Sequence, residues 1–108
     1  MSHVTTHVLD AALGLPASGI AVALSDPNGT VIALGETDAD GRVSALGPDT
    51  LPSGEYRLEF QTGSYFAASA RTTFYPRVTI EFLVTDPEAH YHVPLLLSPF
   101  AYSTYRGS

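Results

Sequence analysis

The sequence predicts an all-β domain, a two-sheet sandwich with one short helix, and three observations carry that expectation. Eight prolines and nine glycines break the 108 residues at short intervals. Between them apolar and polar residues alternate with period two, as strands with one buried face do, and not with the period of a helix. Turn residues recur often enough for seven or eight short strands, which a sandwich accommodates best, with a barrel as second choice. The chain reads as a single domain, residues 1–108, without internal repeat or linker. A domain of this size buries roughly 65% of the surface its unfolded chain exposes, enough for a core without disulfides or structural metal.

Along the chain, the first strand sets Val4, Thr6 and Val8 against Thr5, His7 and Leu9, because successive strand residues point to opposite faces. Ile20 to Ser25 and Thr30 to Leu34 pair about Asp26-Pro27-Asn28-Gly29, whose glycine supplies the positive φ a tight turn needs. Asp38-Ala39-Asp40-Gly41 and Pro48 to Gly54 mark two further turns. Tyr56, Leu58 and Phe60 then alternate with Arg57, Glu59 and Gln61. The helix falls at Ser64 to Ala70, where Tyr65, Phe66, Ala67 and Ala68 break the alternation and Pro76 bars a long extension. In Val78 to Thr85 the inward set is Val78, Ile80, Phe82 and Val84. In the last long strand Tyr91, Val93, Leu95 and Leu97 face the core, and His90 and His92 share the outer face with Pro94, Leu96 and Ser98. Pro94 removes a ladder donor, which points to a bulge, an edge or a face backed by something else.

Composition narrows the chemistry. Five Lys+Arg against 11 Asp+Glu give a net charge of −6, and no basic stripe interrupts it, so neither nucleic acid nor an anionic membrane surface is expected as partner. All five basic residues are arginines and cysteine is absent, which excludes a Schiff-base lysine, a thiol nucleophile and a cysteine zinc site. No apolar run approaches the ~20 residues of a membrane span, and the polar start at Met1-Ser2-His3 makes a cytoplasmic location the expectation.

Four histidines lie near the two ends, His3 and His7, His90 and His92. Any one alone reads as an ordinary half-exposed residue. If the first and last long strands are neighbours, however, His7 and His92 converge on one surface, the geometry general-base chemistry at neutral pH requires. No ligand spacing supports a metal, so none is expected. Asp38 to Gly41 lacks the remaining ligands of a calcium loop, and no Gly-x-Ser-x-Gly elbow marks a nucleophilic serine.

The run His90-Tyr91-His92-Val93-Pro94-Leu95-Leu96-Leu97-Ser98-Pro99-Phe100, followed by Ala101 and Tyr102 and ending in Tyr105-Arg106-Gly107-Ser108, closely resembles the end of the 5-hydroxyisourate hydrolases, the transthyretin-related enzymes of urate breakdown. Thr6-His7-Val8-Leu9-Asp10 with Ala12, Gly14, Pro16 and Ala17 is similar to their opening motif, and Gly41-Arg42 to their central one. Thr62 to Phe66 and Thr73 to Pro76 match as well, so the resemblance spans essentially the whole chain.

That resemblance implies a transthyretin-like sandwich of two four-stranded sheets, a homotetramer, and active sites where dimers meet. It implies a cofactor-free hydrolase that opens 5-hydroxyisourate by water attack on a ring amide carbonyl, giving 2-oxo-4-hydroxy-4-carboxy-5-ureidoimidazoline. His7, Arg42 and His92 carry over as catalytic residues, Tyr105, Arg106 and Ser108 as substrate-binding ones, and His90 sits at the rim. Arginine suits a planar anionic ring because its paired donors match carbonyl oxygens and stabilise charge growing on them. The competing expectations are a transthyretin-like hormone carrier, which calls for an apolar channel, and a purely structural β-module.

Overall fold

The alternation that marks the strands in the sequence becomes, in a computed structural model that describes residues 2–108, the inner faces of two sheets. Among the described residues nine strands and one helix follow in chain order: β1 Val4–Asp10, β2 Leu15–Pro16, β3 Ala21–Ser25, β4 Val31–Glu36, β5 Arg42–Val43, β6 Gly54–Phe60, α1 Thr62–Ala68, β7 Val78–Val84, β8 Tyr91–Ser98 and β9 Ala101–Thr104. One sheet runs β4-β3-β6-β7, all antiparallel. The other runs β2-β1-β8-β9, and β5 adds to it as a fifth member paired with β1. The first and last long strands, β1 and β8, are parallel neighbours from Val4 opposite Tyr91 to Asp10 opposite Leu97.

The core lies between the sheets. Val4, Val8, Leu95 and Leu97 from one face meet Leu24, Leu58, Phe60, Val78 and Val84 from the other, all fully or nearly fully buried. Each residue so placed contributes roughly 1.5–3 kcal/mol relative to exposure. The expected inward set of β7 holds for Val78, Ile80 and Val84, with Phe82 partly covered at the sheet edge.

The turns hold as their side chains dictate. Asp26 Oδ1 accepts the Asn28 and Thr30 N–H groups at 2.9 and 3.0 Å, and Gly29 takes φ 84°. Asp38 Oδ1 likewise accepts the Asp40 and Arg42 N–H groups at 2.9 and 3.0 Å. Gly41, at φ 76°, lies so close to β1 that a Cβ there would run into the Val8 carbonyl oxygen. That approach lets Val8 N–H donate to the Gly41 carbonyl at 2.7 Å and delivers β5 alongside β1.

Three expectations are corrected, and the open reading of Pro94 is narrowed. The helix is Thr62–Ala68, two residues earlier at both ends than expected. Gly63 N–H donates to the Pro76 carbonyl at 3.0 Å, while Ala70 at φ 56° cannot continue the helix. His3 lies outside β1, buried, its Nδ1 accepting the Leu51 N–H at 2.9 Å and its ring edge-on to Tyr91. His90 precedes β8 by one residue. Pro94 is not at an edge, since β8 lies between β1 and β9, and its carbonyl accepts the Thr104 hydroxyl at 2.7 Å.

Candidate active site

Three neighbouring strands assemble the site on the outer face of the larger sheet. On β1, Thr5 and His7 project outward two residues apart while Thr6 and Val8 go to the core. β5 sets Arg42 directly opposite His7, and β8 sets His92 directly opposite Thr5. His7, Arg42 and His92, far apart in the chain, thus become neighbours through a two-residue strand and a parallel pairing. A depression of about 260 Å³ opens here, lined by Thr5, Thr6, Arg42, Val43, Ser44, His90, His92 and Ser108. His7 stands beside it through its pairing with Arg42.

His92 is the most constrained member. Its Nδ1 is hydrogen-bonded to the Thr5 hydroxyl at 2.8 Å, leaving Nε2 for a substrate. Its backbone carbonyl accepts the Gly107 N–H at 2.8 Å. Gly107 lies against the imidazole so closely that a Cβ would come within 2.5 Å of His92 Cδ2. Burial lowers the pKa of the ring below the ordinary imidazole value, and the charges of Arg42, His90 and His7 lower it further. The imidazole is therefore neutral near pH 7 and able to accept a proton.

The C-terminal segment divides between two hollows. Ser108 joins Arg42, His90 and His92 in the depression. Tyr105 and Arg106 line a second hollow of about 280 Å³ with Ile80, Phe82, Tyr91 and Val93, and His92 borders both. The Arg106 guanidinium stacks over the Tyr91 ring at 4.6 Å from its centroid, a cation–π contact.

The sequence matches the HIUase/Transthyretin family over residues 4–107. The chain belongs to this family. It is 46% identical over 115 residues to the 5-hydroxyisourate hydrolase of Caulobacter vibrioides, with 100% of both chains covered. The structure of Klebsiella pneumoniae 5-hydroxyisourate hydrolase superposes with a TM-score of 0.91 at 40% identity, covering 100% of this chain and 94% of that one. Sea bream transthyretin, solved in complex with thyroxine, superposes with a TM-score of 0.88 at 37% identity, covering 96% and 93%.

Within this member of the HIUase/Transthyretin family every residue lining the depression except Val43 carries a hydroxyl, imidazole or guanidinium group. Of the residues singled out in the sequence, His7, Arg42, His90, His92 and Ser108 meet at one place. Tyr105 and Arg106 are set one hollow away, and His3 is absorbed into the packing. Thr5 escaped notice as a functional residue. Its signal was present, since period two puts it on the His7 face, but only the parallel register with β8 reveals that it meets His92.

Proposed function

We infer that this protein is a 5-hydroxyisourate hydrolase, and that the enzyme reading prevails over carriage by a transthyretin-like binding protein. The observation that carries the reading is the full-length identity to a curated hydrolase together with an imidazole and guanidinium cluster in the depression. The reaction is water attack on a ring amide carbonyl of 5-hydroxyisourate, giving 2-oxo-4-hydroxy-4-carboxy-5-ureidoimidazoline in urate catabolism, with no cofactor required.

In this proposal His92, neutral and held at Nδ1, takes the proton of the attacking water at Nε2. Arg42 binds the ring oxygens and stabilises charge developing on the carbonyl oxygen. His7, directly opposite Arg42, returns a proton to the leaving nitrogen. Ser108 contacts the substrate, while Tyr105 and Arg106 form the wall beyond His92.

The proposal includes a homotetramer and a cytoplasmic location. The tetramer is supported by the edge strands β7 and β9, with Leu83 on β7 60% exposed and Tyr105, just after β9, 59% exposed, because open edges and exposed apolar side chains call for cover. Among the described residues no helix is long and apolar enough to cross a membrane.

The test is to generate 5-hydroxyisourate in place from urate and follow its decay with and without the protein. Decay accelerated in proportion to protein concentration is expected. Unaccelerated decay together with tight thyroxine binding would replace the enzyme by a carrier.

A further inference from the structure

One hydroxyl joins two imidazoles at the site. Thr5 Oγ1 lies 2.8 Å from His92 Nδ1 and 2.8 Å from His90 Nε2. A threonine hydroxyl has a single proton to donate, so when both rings are neutral it donates to one and accepts from the other in a continuous chain. Which ring nitrogen carries hydrogen on His92 is then tied to the arrangement on His90. If Thr5 accepts from His92 Nδ1–H, Nε2 of His92 is a bare base facing substrate, and Thr5 donates to His90 Nε2. If Thr5 donates to His92 Nδ1, Nε2 of His92 carries the proton and acts as an acid, while Thr5 accepts from His90 Nε2–H. The two arrangements of one chain of hydrogen bonds are the two states an acid–base catalyst must alternate between.

We propose that the Thr5 hydroxyl relays a proton between His92 and His90, making the two histidines one acid–base unit in the hydrolysis. The inference rests on the hydrolase reading given above. When His92 Nε2 takes a proton from the attacking water, its Nδ1 proton passes to Thr5 Oγ1, and the hydroxyl's own proton passes to His90 Nε2. Net, one proton moves from the water to His90, His92 returns to neutrality and Thr5 is unchanged. The positive charge is thereby carried from the ring that touches the substrate to the ring beyond Thr5. Once His7 has given its proton to the leaving nitrogen, reversal of the same steps returns the proton from His90 through Thr5 to His92 Nε2, which releases it through solvent to His7 and restores the starting state. The groups facing this pair are the Arg42 guanidinium from β5, His7 from β1 and the Ser108 hydroxyl from the C-terminal segment. The neighbouring Arg42 guanidinium disfavours a charge lingering on His92, which gives the transfer its direction. Thr5 is thus a positioning residue that acts through His92 and not on the substrate.

The test compares Thr5→Val, which keeps the shape and removes the hydroxyl, with Thr5→Ser, which keeps the hydroxyl, in the intact protein. Thr5→Val is expected to lower kcat at least tenfold with KM within about twofold, and Thr5→Ser to restore most of the rate, since proton transfer by one positioned group is worth ~10²–10⁴-fold. A second readout does not depend on turnover. Nitrogen NMR of the imidazoles is expected to show His92 and His90 titrating as a coupled pair in the parent and separately in Thr5→Val. Adding His90→Asn to Thr5→Val is expected to cost little more than Thr5→Val alone, because the relay is already broken. A folded Thr5→Val with parental kcat overturns the relay, and so does a parent that hydrolyses 5-hydroxyisourate while its two rings titrate independently. A parent that fails to hydrolyse the compound although its rings are coupled overturns the reaction reading instead.

Discussion

Arg42 and His7 owe their place at the site to backbone pairing, and neither supports the core: Arg42 is exposed and His7 lies on the outer face of β1. Removing either side chain is therefore expected to cost chemistry and not stability. His7→Ala and Arg42→Ala should each lose ~10²- to 10⁴-fold in kcat/KM, with Tm within about 4 °C of the parent, as surface changes cost about 0.5 kcal/mol or less. Turnover and thermal melting of the same preparations check this together, and near-normal turnover in either variant removes that residue from the site. Arg42→Ala has a further consequence, because the Arg42 charge is one of the causes that lower the His92 pKa. Its removal is expected to raise that pKa in an NMR titration, so the acid limb of any residual activity moves to higher pH. Gly107 sits on the opposite flank of the same ring, where Gly107→Ala would press a methyl onto His92 Cδ2. The ring has little room to yield, since Thr5 holds its Nδ1. A tenfold or greater fall in kcat is expected with near-parental Tm, and an unaffected kcat would show that the contact does not orient the base.

At the scale of elements, the end of β1 is joined to α1 by a Tyr65 hydrogen bond and to the segment after the helix by an Arg71 ion pair, both on the buried Asp10. The Asp10 carboxylate, with no solvent exposure, accepts from Arg71 Nη2 at 2.7 Å, from the Tyr65 hydroxyl at 2.7 Å and from the Leu13 N–H at 3.1 Å. Arg71 also stacks over Phe66, 4.9 Å from its ring centroid. Burial alone raises the Asp10 pKa, but the hydrogen bonds from Arg71, Tyr65 and Leu13 together outweigh it and hold the group below the usual carboxylate value. The unfolded chain therefore takes up the proton first as pH falls. The contribution of Asp10 is complete above about pH 4, where the unfolded carboxyl titrates, and is lost as pH drops through the folded value. Arg71→Met leaves a buried charge unpaired and is expected to cost about 3 kcal/mol near pH 7, with the gap from the parent narrowing on acidification as Asp10 is protonated. Urea unfolding at several pH values measures both. A gap that stays constant as the pH falls well below 4 would show that Asp10 is not the group Arg71 serves.

None of this network was legible in the sequence, because it joins residues ten, sixty-five and seventy-one by packing, and period two states which face a residue occupies without saying which strand lies beside it. The long strands β1, β6 and β7 were legible for the same reason, since each alternates, while β3 was legible from the turn that follows it and β8 from the histidines that open its apolar run. β2 and β5, two residues each, carry no pattern to read. The convergence of His7 and His92 was conditional on the ends of the chain being neighbours, and the parallel β1–β8 ladder meets that condition. His3 shows the limit, for its spacing resembles that of a strand residue, yet its ring is held inside by the Leu51 N–H and Tyr91.

For the whole molecule, the two chain ends make opposite demands. Ser2 is buried, its hydroxyl donating to the Val4 carbonyl at 2.7 Å and accepting the Leu46 N–H at 3.0 Å, so residues added before it strain an anchor of the fold. Ser108 lines the depression with Arg42 and His92, and the preceding Gly107 is bridged to His92, so residues added after it must pass through the site itself. Chain ends usually tolerate additions, and the ordinary expectation is that both tags are harmless. Here an N-terminal tag is expected to lower Tm by a few degrees, the shift expected for about 0.5–1 kcal/mol in a domain of this size, while preserving turnover per folded molecule. A C-terminal tag, or deletion of Tyr105 to Ser108, is expected to leave the sandwich core folded and to lower turnover tenfold or more, since it displaces Ser108 and loosens the glycine that flanks His92. The deletion also removes Arg106 from the Tyr91 ring, and with it part of the lining of the second hollow. The comparison is turnover of N-tagged, C-tagged and truncated proteins at matched concentration of folded protein, with assembly followed by sedimentation. A C-terminal tag that dissociates the assembly as activity falls would place the segment at an interface as well as at the site, whereas loss of activity in an intact assembly would place its effect on His92 alone. Equal turnover in all three makes the chain end a bystander and removes Tyr105, Arg106 and Ser108 from the substrate site.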